Sequence, residues 1–429
     1  MKKYQKVKEL PDKINDFNSK KFIISSNSVN DFTHIFHKYP AKFIPHIPRW
    51  GIKFDGSGEL LVIDPFCGSG TSNLEALLLG HASIGFDIDP LAILISKVKI
   101  TPIKNSTLNL VKKKIFVKMK KFDPSLDYTY PDIENFDHWF SKDAKKKIAF
   151  LKELIIQLGN TDIRDFFIVT LSSIIRQVSN ADNQSQKTYV SHTLEKTPPE
   201  VFSFFEKRVD LYMERMGRLF KKIKKNNNII LKLTDTTDDY SITIDKFSKK
   251  RRRLIITSPP YIKAIDYIYN QMLEYFWLGD ILGIESRKKM NEYKQNYIGT
   301  KKVFIKEYKN YNFSHLKIDE LDQVIKKIER KSKKHAYITY KYFDSMKRNL
   351  TISSNILRKG EYYLLVVGNT CVSGVKVNTA RLLGKIASRC GYRLKGLFSY
   401  KIRNRYMRFD RKGRGGIVDE DNILILEHI

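Results

Sequence analysis

The chain predicts an α/β fold built on a mostly parallel sheet, and three features of its 429 residues carry that expectation. Short apolar runs of strand length alternate with helical apolar patterns. The first run meets a glycine-containing turn that opens a helix. The second run ends in a pair of acids and leads into another apolar helix.

These features lie in "LLVIDPFCGSGTSNLEALLLGHASIGFDIDPLAILISKVK". Leu60 to Ile63 reads as the first strand, and Leu74, Leu77 and Leu78 share one face of the helix behind the turn. Ala82 to Phe86 reads as the second strand. A βαβα unit places its strands in parallel and its helices on both faces of the sheet. Before it, residues 1–32 are polar and mixed and read as an arm with little regular structure of its own. After it, residues 101–225 carry helical patterns, polar connectors and basic blocks such as "KKKIFVKMKK", which predict a basic helical insertion. Strand-like runs return at 229–233, 254–257, 362–368, 392–400 and 422–426, with helical patterns near 341–358 and 377–389. The sheet is therefore expected from two parts, a first half at 33–100 and a second at 226–429. Residues 282–335, rich in Lys and Tyr, are the alternative to 101–225 as a recognition insert.

Lys and Arg number 78 against 46 acids, a formal net charge of +32. That excess is beyond what solubility requires and points to a polyanionic partner, nucleic acid rather than a membrane surface. Codon bias alone would leave fewer cations unbalanced. Three scattered cysteines, Cys67, Cys371 and Cys390, suit neither a disulfide framework nor a zinc site, and they fit a reducing, cytoplasmic compartment. The opening "MKKYQKVKELPDK" has cations without an apolar segment, so neither export nor membrane insertion is expected.

The chemistry concentrates in "DPFCGSGT", Asp64 to Thr71. Gly68 and Gly70 allow a tight turn and a close approach to a ligand, and the helix start behind them offers unpaired amide donors. Asp87, at the end of the next strand, stands where an acid accepts hydrogen bonds from ribose hydroxyls, with Asp89 as the alternate. The spacing is neither GxGxxG nor GxxxxGK[ST], which disfavours dinucleotides and nucleoside triphosphates. A nucleoside-type cofactor remains.

The combination of "DPFCGSGT", "GFDIDP" and the later "TSPPY" resembles the amino-methylating DNA methyltransferases that use S-adenosyl-L-methionine, most closely the cytosine-N4 group. The resemblance implies a class I, Rossmann-like methyltransferase sheet, mostly parallel with a terminal antiparallel strand. It implies that Asp64, Pro65, Phe66, Gly68, Gly70 and Thr71 form the turn around the methionine part of the cofactor, and that Asp87 holds the ribose. "HKYPAKF" resembles the element that closes over the methionine end, which assigns Tyr39, Pro40, Lys42 and Phe43 to the cofactor. Asp235, one strand before "SPPY", matches the acid near the adenine.

Two prolines after a strand end the ladder and leave carbonyls free at the sheet's carboxyl edge, where ligands bind. In the resembling family Ser258 and the carbonyl between Pro259 and Pro260 would accept the hydrogens of an exocyclic amine, and Tyr261 would stack on a base flipped out of double-stranded DNA. In that family serine at the first position is more typical of cytosine-N4 than of adenine-N6 enzymes, so the resemblance implies cytosine. Direct transfer to nitrogen needs placement rather than a covalent cysteine or a metal, and no Pro-Cys pair occurs. The basic segment "KIRNRYMRFDRKGRGG" makes Arg403, Arg405, Arg408 and Arg411 candidates for phosphate contacts. The function implied is site-specific DNA methylation beside a restriction endonuclease. The alternatives are an adenine-N6 enzyme, an RNA guanine-N2 methyltransferase and an inactive nucleic-acid-binding relative.

Overall fold

The interior strands are apolar on both faces because helices cover both faces, as a parallel sheet requires. A computed structural model of the chain describes residues 4–402 and 419–429, apart from 26–27, 41, 57, 132, 134, 186, 192, 194–195, 224–227, 242–243, 245–250, 264–265 and 312–315. Its strands are β1 (Gln5–Val7), β2 (Lys21–Ile24), β3 (Leu60–Asp64), β4 (Ala82–Asp87), β5 (Ile229–Leu233), β6 (Arg252–Thr257), β7 (Tyr362–Gly368), β8 (Thr370–Val372), β9 (Val375–Val377), β10 (Tyr392–Lys401) and β11 (Glu420–His428). Nine of the described strands form one sheet in the order β1-β2-β10-β11-β7-β6-β3-β4-β5. Pairing is parallel except at β11, which runs antiparallel to both β7 and β10. This is an α/β fold with a mostly parallel sheet and a terminal antiparallel strand.

Side chains alternate between the two faces, and the core divides accordingly. Leu60, Val62, Leu254, Ile256, Leu364 and Val366 pack on one face under helix α1 (His46–Asp55) with Trp50 and Ile52. The close approach has a cause at Gly51, where a Cβ would lie 2.5 Å from Leu364 Cδ1. Leu61, Ile63, Ile255, Tyr363 and Leu365 face the opposite layer, which belongs to helices further along the chain.

Helices α2 (Thr71–Leu78) and α3 (Pro90–Ile100) follow the first two central strands. The insertion supplies α4 (Asn105–Met119), α5 (Lys142–Ile156), α6 (Thr161–Ile175) and α7 (Val201–Lys222). These share a core with α3 and with α8 (Met272–Leu282). Beyond α8 come α9 (Arg287–Asn296), α10 (Asp319–Glu329), α11 (Lys333–Ile356) and α12 (Thr379–Arg389). The last three cover the second face. No helix among the described residues is long and apolar enough to cross a membrane.

The N-terminal segment differs from the sequence expectation. The sequence predicts for residues 1–32 a polar arm with little regular structure of its own, yet β2 pairs in parallel with β10 and β1 with β2, extending the sheet by two strands. The physical reason is a small apolar set, Phe17, Phe22 and Ile24, inserted among Trp50 and Phe398, with Phe17 and Phe398 ring centroids 5.2 Å apart. Phe22 is fully buried. Phe22→Ala is therefore expected to cost about 3–5 kcal/mol in urea unfolding; a loss under about 1 kcal/mol would mean that these strands are not part of the cooperative sheet.

Candidate active site

The site grows from one buried acid at the end of β3. Asp64 is fully buried and accepts hydrogen bonds from the Phe66 N–H (3.1 Å), the Ser72 hydroxyl (2.6 Å) and the Thr257 hydroxyl (2.6 Å). Those donors belong to the glycine turn, to α2 and to the end of β6. Burial pushes its carboxyl up to about 6 against the pull of these three bonds. Asp64 thus fixes the turn and the Ser-Pro-Pro-Tyr strand relative to each other, and it stands beneath the pocket rather than in its lining.

The turn follows a backbone path that its glycines permit without strain. Gly68 and Gly70 have φ of 49° and 69°, in the left-handed region. A Cβ on Gly68 would sit 3.2 Å from the Tyr39 ring, whereas a Cβ on Gly70 would meet Ser96 Oγ at 2.8 Å. Gly68 therefore faces the pocket, and Gly70 lets α2 start tight against α3. From behind, the Ser96 hydroxyl donates to the Gly68 carbonyl (2.7 Å) and the buried Lys99 ammonium to the Ser69 carbonyl (2.5 Å).

Asp87 closes the next side. Its two oxygens accept the N–H of Gly68 (2.8 Å) and of Asp89 (2.9 Å). Burial and the neighbouring Asp89 carboxylate push its carboxyl up to about 7 despite those bonds. The structure separates the two acids that the sequence left as alternates. Asp87 lines the pocket; Asp89 caps α3 through the N–H groups of Leu91 and Ala92 and receives the hydroxyls of Tyr39 (3.1 Å) and Tyr275 (2.5 Å).

These elements line a pocket open to solvent at the carboxyl edge of the sheet. Tyr39, Pro40, Lys42, Phe43, Phe66, Gly68, Thr71, Asp87 and Asp235 line it, together with Ser258 and Pro260. Lys42 donates to the His34 carbonyl (2.8 Å), and burial pushes its ammonium down to about 8. Asp235 also makes a turn, accepting the N–H and hydroxyl of Thr237 at 2.9 Å. Pro65, Pro259 and Tyr261 lie outside the lining. The Tyr261 hydroxyl instead donates to buried Asp421 (2.5 Å), which also receives Tyr400 (2.7 Å), so the start of β11 and the end of β10 hold the Tyr261 ring.

Sequence reasoning missed part of the wall. Cys67, Ser69, Ile88, Thr236, Tyr267, Asn296, Tyr297 and Ile298 also line the pocket. Tyr267 stacks between Tyr39 (5.9 Å) and Tyr297 (5.8 Å). The available signal was the tyrosine-rich run after "SPPY", but only tertiary folding brings residues 296–298 back. Burial and the acids Asp87 and Asp64 push the Cys67 thiol up, which keeps it protonated. Arg403, Arg405, Arg408 and Arg411 lie outside the described residues.

The insertion braces this wall from outside. The His37 N–H donates to the Tyr212 hydroxyl (2.8 Å) on α7, and its Nε2 pairs with the Ser172 hydroxyl (3.0 Å) on α6. Phe36 stacks on Tyr212 at 4.1 Å. Residues 36–39 are thereby pressed toward Gly68.

A parallel sheet whose central strand carries a glycine turn, whose neighbour ends in an acid, and whose crevice is walled by aromatics defines an α/β protein built for a nucleoside-type ligand. No family model matches the chain. It is 25% identical over 424 residues to the Type II methyltransferase M.MvaI of Kocuria varians, covering 94% of this chain and 90% of that protein. It is also 25% identical over 246 residues to the Type II methyltransferase M.MjaII of Methanocaldococcus jannaschii, covering 54% of this chain and 45% of that one. Among solved structures, the rRNA methyltransferase aviRa from Streptomyces viridochromogenes overlaps with a TM-score of 0.34 at 8% identity, covering 94% of this chain and 93% of that chain.

A double-mutant cycle tests the anchoring of Tyr261. Tyr261→Phe and Asp421→Ala should couple by about 1.5–3 kcal/mol in denaturant unfolding, the range for a hydrogen bond to a charged group. Additivity within about 0.5 kcal/mol would remove Asp421 as the residue that orients the ring.

Proposed function

We propose that this chain is a site-specific DNA methyltransferase that modifies the exocyclic N4 amine of cytosine, the modification partner of a restriction endonuclease, acting in the cytoplasm. The observation that carries the reading is a single pocket lined both by the glycine turn with Asp87 and by Ser258 and Pro260. Similarity to a Type II methyltransferase along 94% of the chain supports it.

S-adenosyl-L-methionine is the methyl donor, and when bound it supplies an electrophilic methyl group on a sulfonium. The residues present fit it. Ser69 Oγ is buried in the wall with no partner among the described residues, and each Asp87 oxygen, holding one backbone N–H, keeps further acceptor capacity. Asp87 would take the ribose hydroxyls, Lys42 the carboxylate of the methionine end, and Asp235 the adenine side. Tyr39, Phe43 and Phe66 would exclude water. Phe66, Gly68 and Thr71 would form the floor of the turn, with Asp64 and Asp89 holding that floor and the tyrosines in place.

Ser258 and the Pro259 carbonyl would accept the two amine hydrogens and aim the nitrogen lone pair at the methyl group. The proton displaced on transfer would leave through these acceptors to solvent. Tyr261, clamped by Asp421, would present its face to the flipped base. Ser258 is the basis for choosing cytosine.

The direct test is incubation of the protein with isotopically labelled S-adenosyl-L-methionine and unmethylated DNA, then nucleoside mass spectrometry. Labelled N4-methylcytosine is expected. N6-methyladenine would overturn the assignment of the base, and label in RNA alone would overturn the polymer.

Cofactor affinity should also depend on pH. Below about 7 each binding event must first ionise Asp87, so affinity should fall about tenfold per pH unit. Above about 8 the loss of charge on Lys42 should weaken it again. Calorimetry on Asp87→Asn should show weaker binding without the acid limb; an unchanged acid limb would remove Asp87 from the ribose.

A further inference from the structure

One stretch of surface near the pocket is apolar on a chain that is otherwise strongly basic. Phe304 is 46% exposed and Ile305 66%, and among the described residues no other two consecutive large apolar side chains are both exposed. Single exposed apolar residues are ordinary on a soluble protein, but an adjacent pair points to an apolar partner. Lys302, Lys306 and Lys309 flank the pair. Glu307, the acid of this stretch, is engaged: it accepts the Phe304 N–H (2.6 Å) and lies 3.8 Å from Lys341 Nζ. An apolar tip ringed by cations matches a polyanion with an apolar interior, and a DNA duplex with its stacked bases is such a partner.

The pair stands on an anchored base. Ile305–Tyr308 form a single helical turn, and the chain is packed on either side of it. Val303, just before the pair, is buried in the core that also holds Ile262, the residue after Tyr261. Beyond the turn, Tyr311 packs its ring on Tyr337 (4.9 Å) and Tyr340 (5.4 Å) of α11. The location follows from the chain path. Residues 296–298 line the pocket, and Gly299 comes next, its carbonyl accepting the Lys263 N–H (3.1 Å) and a Cβ there lying 2.8 Å from the Tyr261 carbonyl. On its other side the stretch meets the start of α11, whose His335 Nδ1 pairs with the Ser373 hydroxyl (2.6 Å) in the β8–β9 hairpin. That hairpin follows β7 at the carboxyl edge of the sheet, the edge that carries Ser258 and Tyr261.

We propose that Phe304 and Ile305 form an apolar wedge that enters the DNA stack at the space left by the base directed into the pocket. The proposal rests on the DNA methyltransferase reading. Taking a base out of a duplex costs its stacking on both faces and leaves an empty slot between its neighbours. Apolar side chains in that slot recover contact with the neighbouring bases, and phenylalanine and isoleucine are among the side chains that enter base steps. Lys302, Lys306 and Lys309 would meet the phosphates on either side, which places the wedge without reading sequence.

The test compares the full-length protein with the double variant Phe304→Ala/Ile305→Ala on a duplex whose target cytosine has been located by sequencing methylated DNA. The single-turnover methylation rate is measured with the target in a matched pair and again opposite a mismatched base. In the variant the matched rate should fall about tenfold or more, since unstacking costs a few kcal/mol per step. The deficit should shrink to within about threefold on the mismatched duplex, because an unpaired base leaves its stack at lower cost. Cofactor affinity by calorimetry and the melting temperature should be unchanged, both side chains being exposed. Leu394→Ala, which removes a side chain 44% exposed at the opposite edge of the sheet, should keep the wild-type rate on both duplexes.

An unchanged matched rate, or a loss equal on both duplexes, would overturn the wedge. A loss that tracks the conversion of a dimer to monomers in sedimentation would make the pair an interface between copies instead. An equal loss in Leu394→Ala would overturn the assignment to this pair. Methylation of RNA but not DNA by wild type would overturn the duplex as occupant, and methylation of neither would overturn the methyltransferase reading itself.

Discussion

The rest of the site depends on Asp64. A carboxyl buried without solvent is tolerable only when its oxygens are hydrogen-bonded, and here the donors come from both halves of the chain. Thr257 is 193 residues away from Asp64, yet it ends the neighbouring strand in register with β3. The Ser72 hydroxyl, whose one proton goes to Asp64, also sits 3.2 Å from the Ile256 carbonyl of the same neighbouring strand. The turn that shapes the pocket floor and the strand that delivers Ser258 are therefore one rigid unit. That rigidity matters for a transfer reaction whose demand is placement of two reacting atoms.

The sheet topology puts this unit where a ligand can reach it. From β3 the chain moves to β4 on one side, and β6 returns on the other, so a crevice opens between their carboxyl ends. Charge is divided by depth. Asp64, Asp87 and Asp89 are held inside, while the chain as a whole carries a formal +32. In the proposed function the inner acids serve the cofactor and the turn, and the outer cations serve the polyanion. The helical insertion contributes to the inner part through Tyr212 and Ser172, which brace residues 36–39.

Much of the fold was legible because its strands are contiguous apolar runs bounded by turn residues. Leu60–Asp64, Ala82–Asp87 and Tyr362–Gly368 are buried on both faces and leave a strong local signal. Strands β1 and β2 leave almost none. They have three and four residues, and what binds them is Phe17 and Phe22 docking on a distant layer. The glycine turn and Asp87 were legible for a similar reason, since a positive φ and a ligand-facing acid restrict residue type locally. The Asp421 clamp on Tyr261 spans 160 positions, and the Tyr267–Tyr297 side of the pocket joins two distant segments where Gly299 packs closely on the Tyr261 carbonyl. Such features follow from tertiary register, which single-residue patterns do not encode.

The proposed function requires the glycine turn, Asp87 and Ser258 to serve one shared pocket. The most direct measurement is a crystal structure of the protein with S-adenosyl-L-homocysteine, the demethylated product. Ribose hydroxyls are expected within hydrogen-bond distance of Asp87, with the sulfur facing Ser258. Ligand bound elsewhere, or with its adenine on Asp87 and its sulfur turned away from Ser258, would contradict it.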